Sequence, residues 1–245
     1  MGNKSVWISI IAAAFCFVGG FLLANALNRS EMDGIKAEND GLRTVQANNA
    51  RETANVTLTS EEIQKKISEA DQNPKNFHFQ KGLGMGLYRY ASMKQDAAIL
   101  AEALRLLARA NDIDPEDREV QVGLGNAYFD TGYFNKDNKS FVSAREFYRK
   151  ALSKRPSDAE VRTDLGLTYF LQEPPDLSAA IEEFEASLKI DPAHEKTLQF
   201  LVQSQVKKND GEKARQFLDQ LKKANPENQS IPELTSLVDQ IVAAK

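Results

Sequence analysis

Apolar positions after about residue 77 follow the period of α-helices, and the helices recur in pairs. The first helix of each pair carries a Leu-Gly dipeptide, and Leu83-Gly84, Leu124-Gly125 and Leu165-Gly166 are separated by intervals of 41 residues. A Leu201-Val202 pair follows 36 residues after the third dipeptide. The pattern therefore predicts an internal repeat built from paired helices.

The second helix of each pair carries a small residue, a large one, a small or apolar one and then a proline, with spacings of 4, 3 and 5 residues. Small residues let two antiparallel helices cross closely, so we expect Gly125 and Gly166 to face Ala144 and Ala180. The wider gaps between successive pairs are expected to be filled by the aromatic residues Tyr128, Tyr148, Tyr169 and Phe184, and each proline ends a unit. The four sets are Ala103, Leu107, Ala110 and Pro115; Ala144, Tyr148, Ala151 and Pro156; Ala180, Phe184, Ser187 and Pro192; and Ala214, Leu218, Leu221 and Pro226.

The combination Leu-Gly-x-x-Tyr, Ala-x-x-x-aromatic-x-x-Ala and Pro resembles the tetratricopeptide repeat, a helix-turn-helix unit of about 34 residues. The resemblance covers about residues 77–228 and implies about four repeats. It also implies insertions of about seven, seven and two residues between the paired helices of the first three repeats. The second insertion is assigned to Phe134–Phe141. The implied repeats are 73–117, 118–158, 159–194 and 195–228.

A stack of such repeats needs covers at both ends, because no repeat buries its apolar faces alone. Thr59 and Glu62 have the spacing of a capping box, which predicts a helix over residues 59–72 as the front cover. Residues 229–245 carry an apolar stripe at helical spacing and predict the rear cover. The predicted fold class is all-α: a tetratricopeptide helix-turn-helix solenoid with two capping helices, preceded by a single transmembrane helix.

That transmembrane helix is predicted at residues 6–28, after a short tail of residues 1–5. Residues 5–28 carry no charge, and as a helix they would exceed a bilayer core of about 30 Å. We expect an uncleaved signal anchor. Two other interpretations stay open: a signal peptide cleaved after Ala26, and a buried core helix.

Two features of the sequence give conflicting predictions for the orientation of this segment in the membrane. The basic residues that follow it, Arg29, Lys36 and Arg43, outnumber Lys4 and by themselves favour a cytoplasmic body. The short, signal-like start favours the opposite. We expect a single-pass inner-membrane protein with its body on the periplasmic side, and a cytoplasmic body or a secreted form as alternatives.

Residues 29–58 are predicted to form a polar linker or a short coiled coil, because Met32, Ile35 and Leu42 fall on heptad positions. A ladder of small residues inside the membrane segment would let two helices approach closely. A homodimer through the membrane helix or the linker is therefore one hypothesis. Residues 6–28 are also expected to contact the lipid bilayer.

Composition removes several classes of function. The formal net charge of −4 and the pI of about 5.4 give no basic excess for a general nucleic-acid binder. One cysteine and two histidines cannot form an intramolecular disulfide framework or the usual structural zinc sites. We expect neither a metal nor a cofactor.

Catalytic motifs are also missing from the sequence. The glycine-rich run Gly82–Gly86 lacks the spacing of a phosphate-binding loop. His78 and His194 stand in no metalloprotease-type arrangement, and no Ser/His/Asp constellation can be assembled. The acidic run around Glu183 is interpreted as a solvated helix face. We therefore expect a protein without enzymatic activity.

The family resemblance implies a peptide-binding groove lined by fixed positions of the first helix in each repeat. Carried over to this sequence, the predicted groove residues are Lys81, Met85, Tyr88, Val122, Asn126, Phe129, Thr163, Leu167, Phe170, Gln199, Gln203 and Val206. The full set of carried-over positions also includes His78, Arg89, Glu119, Asp130, Glu160, Leu171, Lys196 and Lys207. Glu160 and Asp164 stand where carboxylate-binding members of the family place cations. They therefore do not support an acidic C-terminal peptide as the ligand. The middle of the groove would be apolar because of Phe129, Leu167, Phe170 and Leu171, so an amphipathic helix or an extended apolar peptide is the expected ligand.

The leading functional hypothesis is a membrane-anchored interaction scaffold that binds a protein partner in this groove. The resemblance to bacterial envelope members of the family extends the hypothesis to protein assembly such as cytochrome c maturation. The alternatives are a periplasmic holdase-type chaperone associated with secretion and an accessory domain of an enzyme.

Overall fold

The computed structural model of the protein describes residues 59–243. Internal contacts divide the chain into two units, Met1–Glu62 and Ile63–Lys245, and only residues 59–62 of the first unit are described. The described residues form ten α-helices and no β-strand, which confirms the predicted all-α solenoid. The helices are α1 (Ser60–Gln72), α2 (Phe77–Lys94), α3 (Ala97–Ile113), α4 (Arg118–Asn135), α5 (Asn138–Lys154), α6 (Ala159–Leu171), α7 (Leu177–Ile190), α8 (Glu195–Lys207), α9 (Gly211–Ala224) and α10 (Ile231–Ala243).

Consecutive helices pack in pairs, and the pairs stack in chain order. The pairs are α2 with α3, α4 with α5, α6 with α7 and α8 with α9. The second helix of each of the first three pairs packs against the first helix of the next pair, and α10 covers α8 and α9. Each contact therefore joins elements that are close in sequence, as in a solenoid.

Aspartate residues fix the starts of most helices. The side chains of Asp96, Asp117, Asp137 and Asp158 each accept a hydrogen bond from a backbone N–H group in the first turn of α3, α4, α5 and α6. These bonds satisfy donors that have no partner inside the helix. Helix starts are therefore encoded locally in the sequence.

The start of α1 has the predicted capping box. The backbone N–H of Thr59 donates to Oε2 of Glu62 at 2.8 Å, and the backbone N–H of Glu62 donates to Oγ1 of Thr59 at 3.2 Å. Further along α1, Ile63 and Ile67 are buried in a core cluster together with Leu87 of α2 and Leu106 of α3. The Ile63–Gln72 portion of α1 thus closes one end of the stack.

Two crossings inside the pairs differ from the prediction. A Cβ atom on Gly125 would lie 2.5 Å from the Tyr148 ring, and one on Gly166 would lie 2.6 Å from the Phe184 ring. The two aromatic rings therefore fill the space that the glycines leave within each pair, and they also pack against residues of the next pair, as predicted. A Cβ atom on Gly166 would also lie 3.3 Å from the backbone oxygen of the predicted partner Ala180.

The predicted insertion at Phe134–Phe141 is not a long loop. Helix α4 continues to Asn135 and α5 begins at Asn138. The helices of the first two pairs have 18 and 17 residues, against 13 and 14 in the next two pairs. Seven residues correspond to about two helical turns, so they lengthen both helices by about one turn each and keep their packing faces aligned.

The predicted localisation requires correction. Within residues 59–243, no helix combines the length and the apolar character that a bilayer span requires, which contradicts the prediction of a single-pass membrane protein. The segment expected to span the bilayer, residues 6–28, lies outside the described residues. The tail 1–5, the linker 29–58 and the predicted homodimer contacts lie outside them as well.

Candidate interaction surface

The first helices of the pairs form a continuous row. Helix α2 contacts α4, α4 contacts α6 and α6 contacts α8, whereas the second helices make no comparable contacts with one another in the described part of the chain. Because the first helices lie closer together than the second helices, the row curves with the first helices on its inner side. We call the inner side, formed by α2, α4, α6 and α8, the first-helix surface.

Lys81, near the start of this surface, is held by two carboxylates of the next pair. Its Nζ lies 2.9 Å from Oδ2 of Asp117 and 2.6 Å from Oε2 of Glu119. Burial by itself lowers the pKa of Lys81, but the hydrogen bonds and charges of Glu119 and Asp117 outweigh it and raise the pKa. The Lys81 ammonium thus joins α2 to α4.

Met85 and Val122 serve mainly in packing. The Met85 sulfur lies where a Cβ atom on Gly123 would be, at 2.5 Å, so that it fills the notch this glycine leaves in α4. Val122 packs against the core cluster that contains Val161 and Leu165. Both side chains are partly buried.

Three predicted residues in the middle of the surface remain partly accessible: Tyr88, Asn126 and Phe129. Oδ1 of Asn126 accepts a hydrogen bond of 2.9 Å from the hydroxyl group of Tyr148, which emerges between the helices. The Phe129 ring packs edge-on against Phe141, with 5.8 Å between the ring centroids. Tyr88 lies on α2, and Asn126 and Phe129 lie on the neighbouring helix α4.

Three other predicted residues are buried inside the fold: Thr163, Leu167 and Phe170. Oγ1 of Thr163 lies 2.9 Å from Oγ of Ser187 and 2.6 Å from Oγ1 of Thr197, in a hydroxyl cluster between α6, α7 and α8. Leu167 and Phe170 belong to the core cluster around Phe184. Their side chains are engaged in packing and hydrogen bonding, which leaves little surface for a ligand.

The last three predicted residues lie on α8 and are partly buried. Gln199 donates a hydrogen bond of 2.9 Å to Oδ1 of Asn228. Val206 packs against the terminal core cluster around Leu198, and Gln203 lies between them in sequence. This end of the surface is more polar than the middle.

Asp164, an acidic group on this surface, falls outside the predicted positions. Asp164 and Lys196 form an ion pair at 2.7 Å, and Lys196 also contacts Oε1 of Glu160 at 2.7 Å. Burial raises the pKa of Asp164, although the charge of Lys196 counteracts the shift. Asp164 stands at the sixth position of its repeat, which the family pattern does not assign to the groove.

The Asp164–Lys196 pair yields a stability prediction. Replacing Lys196 with methionine leaves the largely buried Asp164 carboxylate without a cation, so the free energy of unfolding at about pH 7 should fall by about 1–3 kcal/mol. A carboxyl group with a raised pKa in the folded state binds its proton more tightly there than in the unfolded state. The loss should therefore shrink as the pH is lowered through the pKa of Asp164.

Urea unfolding of Lys196→Met at several pH values, followed by circular dichroism, measures this effect. Arg215→Met is the matched control, because the side chains of Arg215 and Asp239 are 53% and 63% exposed in their ion pair. Such a pair contributes about 0–1 kcal/mol. Equal losses in the two variants, or a loss for Lys196→Met that does not depend on pH, would contradict the prediction.

Comparison with known proteins agrees with this architecture. A family model described as tetratricopeptide repeat matches residues 175–241, which contain α7, α8, α9 and nearly all of α10. No curated protein sequence is significantly similar to the chain.

Solved structures match over more of the chain. MamA from Desulfovibrio magneticus RS-1, residues 41 to the end, has a TM-score of 0.58 at 16% identity and covers 76% of this chain and 97% of its own. The C-terminal part of a TPR repeat-containing protein from Cytophaga hutchinsonii has a TM-score of 0.54 at 18% identity, covering 71% and 65%. A tetratricopeptide repeat protein from Parabacteroides merdae has a TM-score of 0.52 at 16% identity, covering 66% and 60%.

At these identities the solved structures show the fold alone. Together with the family model, they support a tetratricopeptide-repeat solenoid, a class of scaffold that generally acts through protein contacts. No catalytic family is indicated by the matches.

Proposed function

We propose that this protein is a non-enzymatic interaction module that binds a peptide or helix of a partner protein on the first-helix surface. The observation that carries the proposal is the row of contacting first helices, with the partly accessible residues Tyr88, Asn126 and Phe129 on its neighbouring helices α2 and α4. Aromatic side chains that are partly exposed between polar groups are typical anchors for a partner.

The form of the surface indicates the form of the ligand. A concave row of four helices offers a long contact to an extended chain or to one amphipathic helix. The surface alternates aromatic groups with hydrogen-bonding groups, so it can pack an apolar side chain and satisfy a polar one nearby. Neither cytochrome c maturation nor a secretion-linked holdase is part of the proposed function, because no relative described above carries such a name.

Burial decides which substitutions test the proposal. Phe170 is 6% exposed and packs edge-on against Phe200 with 5.4 Å between ring centroids, so a polar residue at this position would disrupt the core. Tyr88 and Phe129 are better targets, because truncation to alanine removes surface contacts at a smaller cost in packing.

The test is a selection of phage-displayed random peptides on the wild-type protein, followed by affinity measurement by calorimetry. The double variant Tyr88→Ala, Phe129→Ala is expected to bind the enriched peptides at least about tenfold more weakly, since two aromatic anchors are lost. The control is Ile113→Ala with Val142→Ala, because Ile113 and Val142 are 41% and 46% exposed on second helices.

The control variant should bind the peptides with wild-type affinity, and circular dichroism should show equal helix content in all three proteins. Enriched peptides that bind both double variants as tightly as the wild type would overturn the assignment of the first-helix surface. Failure to enrich any peptide sequence would count against peptide binding altogether.

A further inference from the structure

Asp130 occupies a distinctive place on the first-helix surface. It lies on α4 next to Phe129, and its Oδ2 accepts a hydrogen bond of 2.8 Å from the hydroxyl group of Ser92 on α2. The carboxylate is partly buried. It is therefore fixed between two first helices rather than extended into solvent.

Asp130 has no cationic partner in the described part of the chain. Within residues 59–243, no lysine, arginine or histidine nitrogen forms an ion pair with it, and its carboxylate accepts a hydrogen bond from the hydroxyl group of Ser92. Burial raises the pKa of Asp130, and the hydroxyl groups of Ser92 and Tyr88 only partly counteract the shift. A carboxylate desolvated without a cation costs stability, so folding alone does not explain its presence.

A second carboxylate acts on the same region. The charges of Asp130 and Asp164 both contribute to raising the pKa of Tyr88, after the larger effect of burial, and both also act on Tyr148. The nearby Asn126 presents a side-chain oxygen that accepts from Tyr148. The middle of the surface is thus rich in hydrogen-bond acceptors and in negative potential.

The paired basic residues of the first helices are bound to carboxylates other than Asp130; Arg118 of α4, for example, pairs with Asp158 and Arg162 of α6 with Glu183. Lys81 is bound to Asp117 and Glu119, and Lys196 to Glu160 and Asp164, so neither ammonium group is available to neutralise Asp130. Lys207 lies over the Phe170 ring at 5.3 Å from its centroid. The Asp130 carboxylate is therefore a negative charge on this surface that no cation of the described residues neutralises.

We propose that Asp130 receives a lysine or arginine side chain of the partner peptide. This inference rests on the proposed function and specifies its ligand: an apolar segment with a basic residue at one position. The aliphatic stem of that residue would pack beside the Tyr88 and Phe129 rings, and its charged end would complete the contacts of the carboxylate. Asp130, Tyr88 and Phe129 would act as a single subsite.

The test uses the phage-displayed random peptides selected on the wild-type protein, with Asp130→Asn as the variant. Asparagine keeps the shape and the acceptor for Ser92 but removes the charge. The wild-type protein should enrich peptides with lysine or arginine at one fixed position among apolar residues. Replacing that lysine by norleucine should weaken binding to the wild type about tenfold, and binding to Asp130→Asn less than about twofold.

Asp112→Asn is the matched control, because Asp112 is exposed on α3, a second helix. Asp112→Asn and Asp130→Asn change the net charge of the protein by the same amount. Asp112→Asn should show the same tenfold effect as the wild type. Asp130→Asn should also unfold at the same or a higher temperature, since a desolvated charge has been removed.

The possible failures are distinct. Enriched peptides without a preferred basic position, or an unchanged effect of norleucine on Asp130→Asn, would overturn the Asp130 subsite and leave the proposed function intact. Enriched peptides whose binding does not depend on Tyr88 and Phe129 would overturn both, because they would place the ligand elsewhere on the protein.

Discussion

Replacing Phe184 with alanine is expected to lower the free energy of unfolding by about 3–5 kcal/mol. The Phe184 side chain is fully buried, fills the notch at Gly166, and packs against Phe200 with 6.0 Å between ring centroids. It therefore joins α7 to its own partner α6 and to α8 of the next pair. Its removal creates a cavity at a contact between two pairs, where the surrounding helices cannot close the space without shifting.

The measurement is urea unfolding followed by helical circular dichroism. Because each pair in a solenoid contacts only its neighbours, a weakened internal contact should also broaden the transition or split it into two. Tyr133→Ala is the control, since Tyr133 is 57% exposed, and it should change stability by less than about 0.5 kcal/mol. A loss below about 1 kcal/mol for Phe184→Ala would show that the crossing is not tightly packed.

Alanine at two glycines should shift stability in opposite directions. At Gly125 the added Cβ would lie 2.5 Å and 2.6 Å from two carbons of the Tyr148 ring. Tyr148 is buried and hydrogen-bonded to Asn126, so its ring cannot move aside easily. Gly125→Ala should therefore cost about 1–3 kcal/mol through overpacking.

Gly82 is the matched position in another first helix, because a Cβ there would have no neighbouring atom within 4 Å. Alanine loses less backbone entropy than glycine on folding, so Gly82→Ala should stabilise the protein by about 0.5–1 kcal/mol. Thermal unfolding of both variants checks the prediction. A stability change of the same sign at both positions would show that helix propensity, rather than the fit of the ring, governs Gly125.

Several features could be predicted from local sequence. The capping box at Thr59 and Glu62 forms as expected, because its hydrogen bonds join residues three apart and need no tertiary context. The pairing of helices also follows from the repeat, since each apolar face can be buried only by its neighbours. By contrast, the resemblance places an insertion between the paired helices at Phe134–Phe141, whereas most of this segment belongs to the ends of α4 and α5, because its polar residues are also typical of exposed helix ends.

The candidate site was less predictable. The family pattern selects positions on the first helices, but Thr163 and Phe170 are buried while Tyr88 and Phe129 stay partly accessible. Their exposure depends on how far each helix is covered by the next pair, which no single repeat encodes. The ion pair of Asp164 could not be predicted for the same reason, because its partner Lys196 is 32 residues away.

The sequence by itself determined the all-α class, the helix pairs and their starts, because capping, periodicity and proline positions act over a few residues. Tertiary structure alone decided that Tyr148 and Phe184 fill the notches of Gly125 and Gly166, because the depth of a crossing depends on two helix axes at once. It also decided that the Asp130 carboxylate accepts a hydrogen bond from Ser92 and forms no ion pair with a cation among the described residues. The balance of charge and solvent around a side chain depends on residues that are distant in the chain and become neighbours only when the pairs stack.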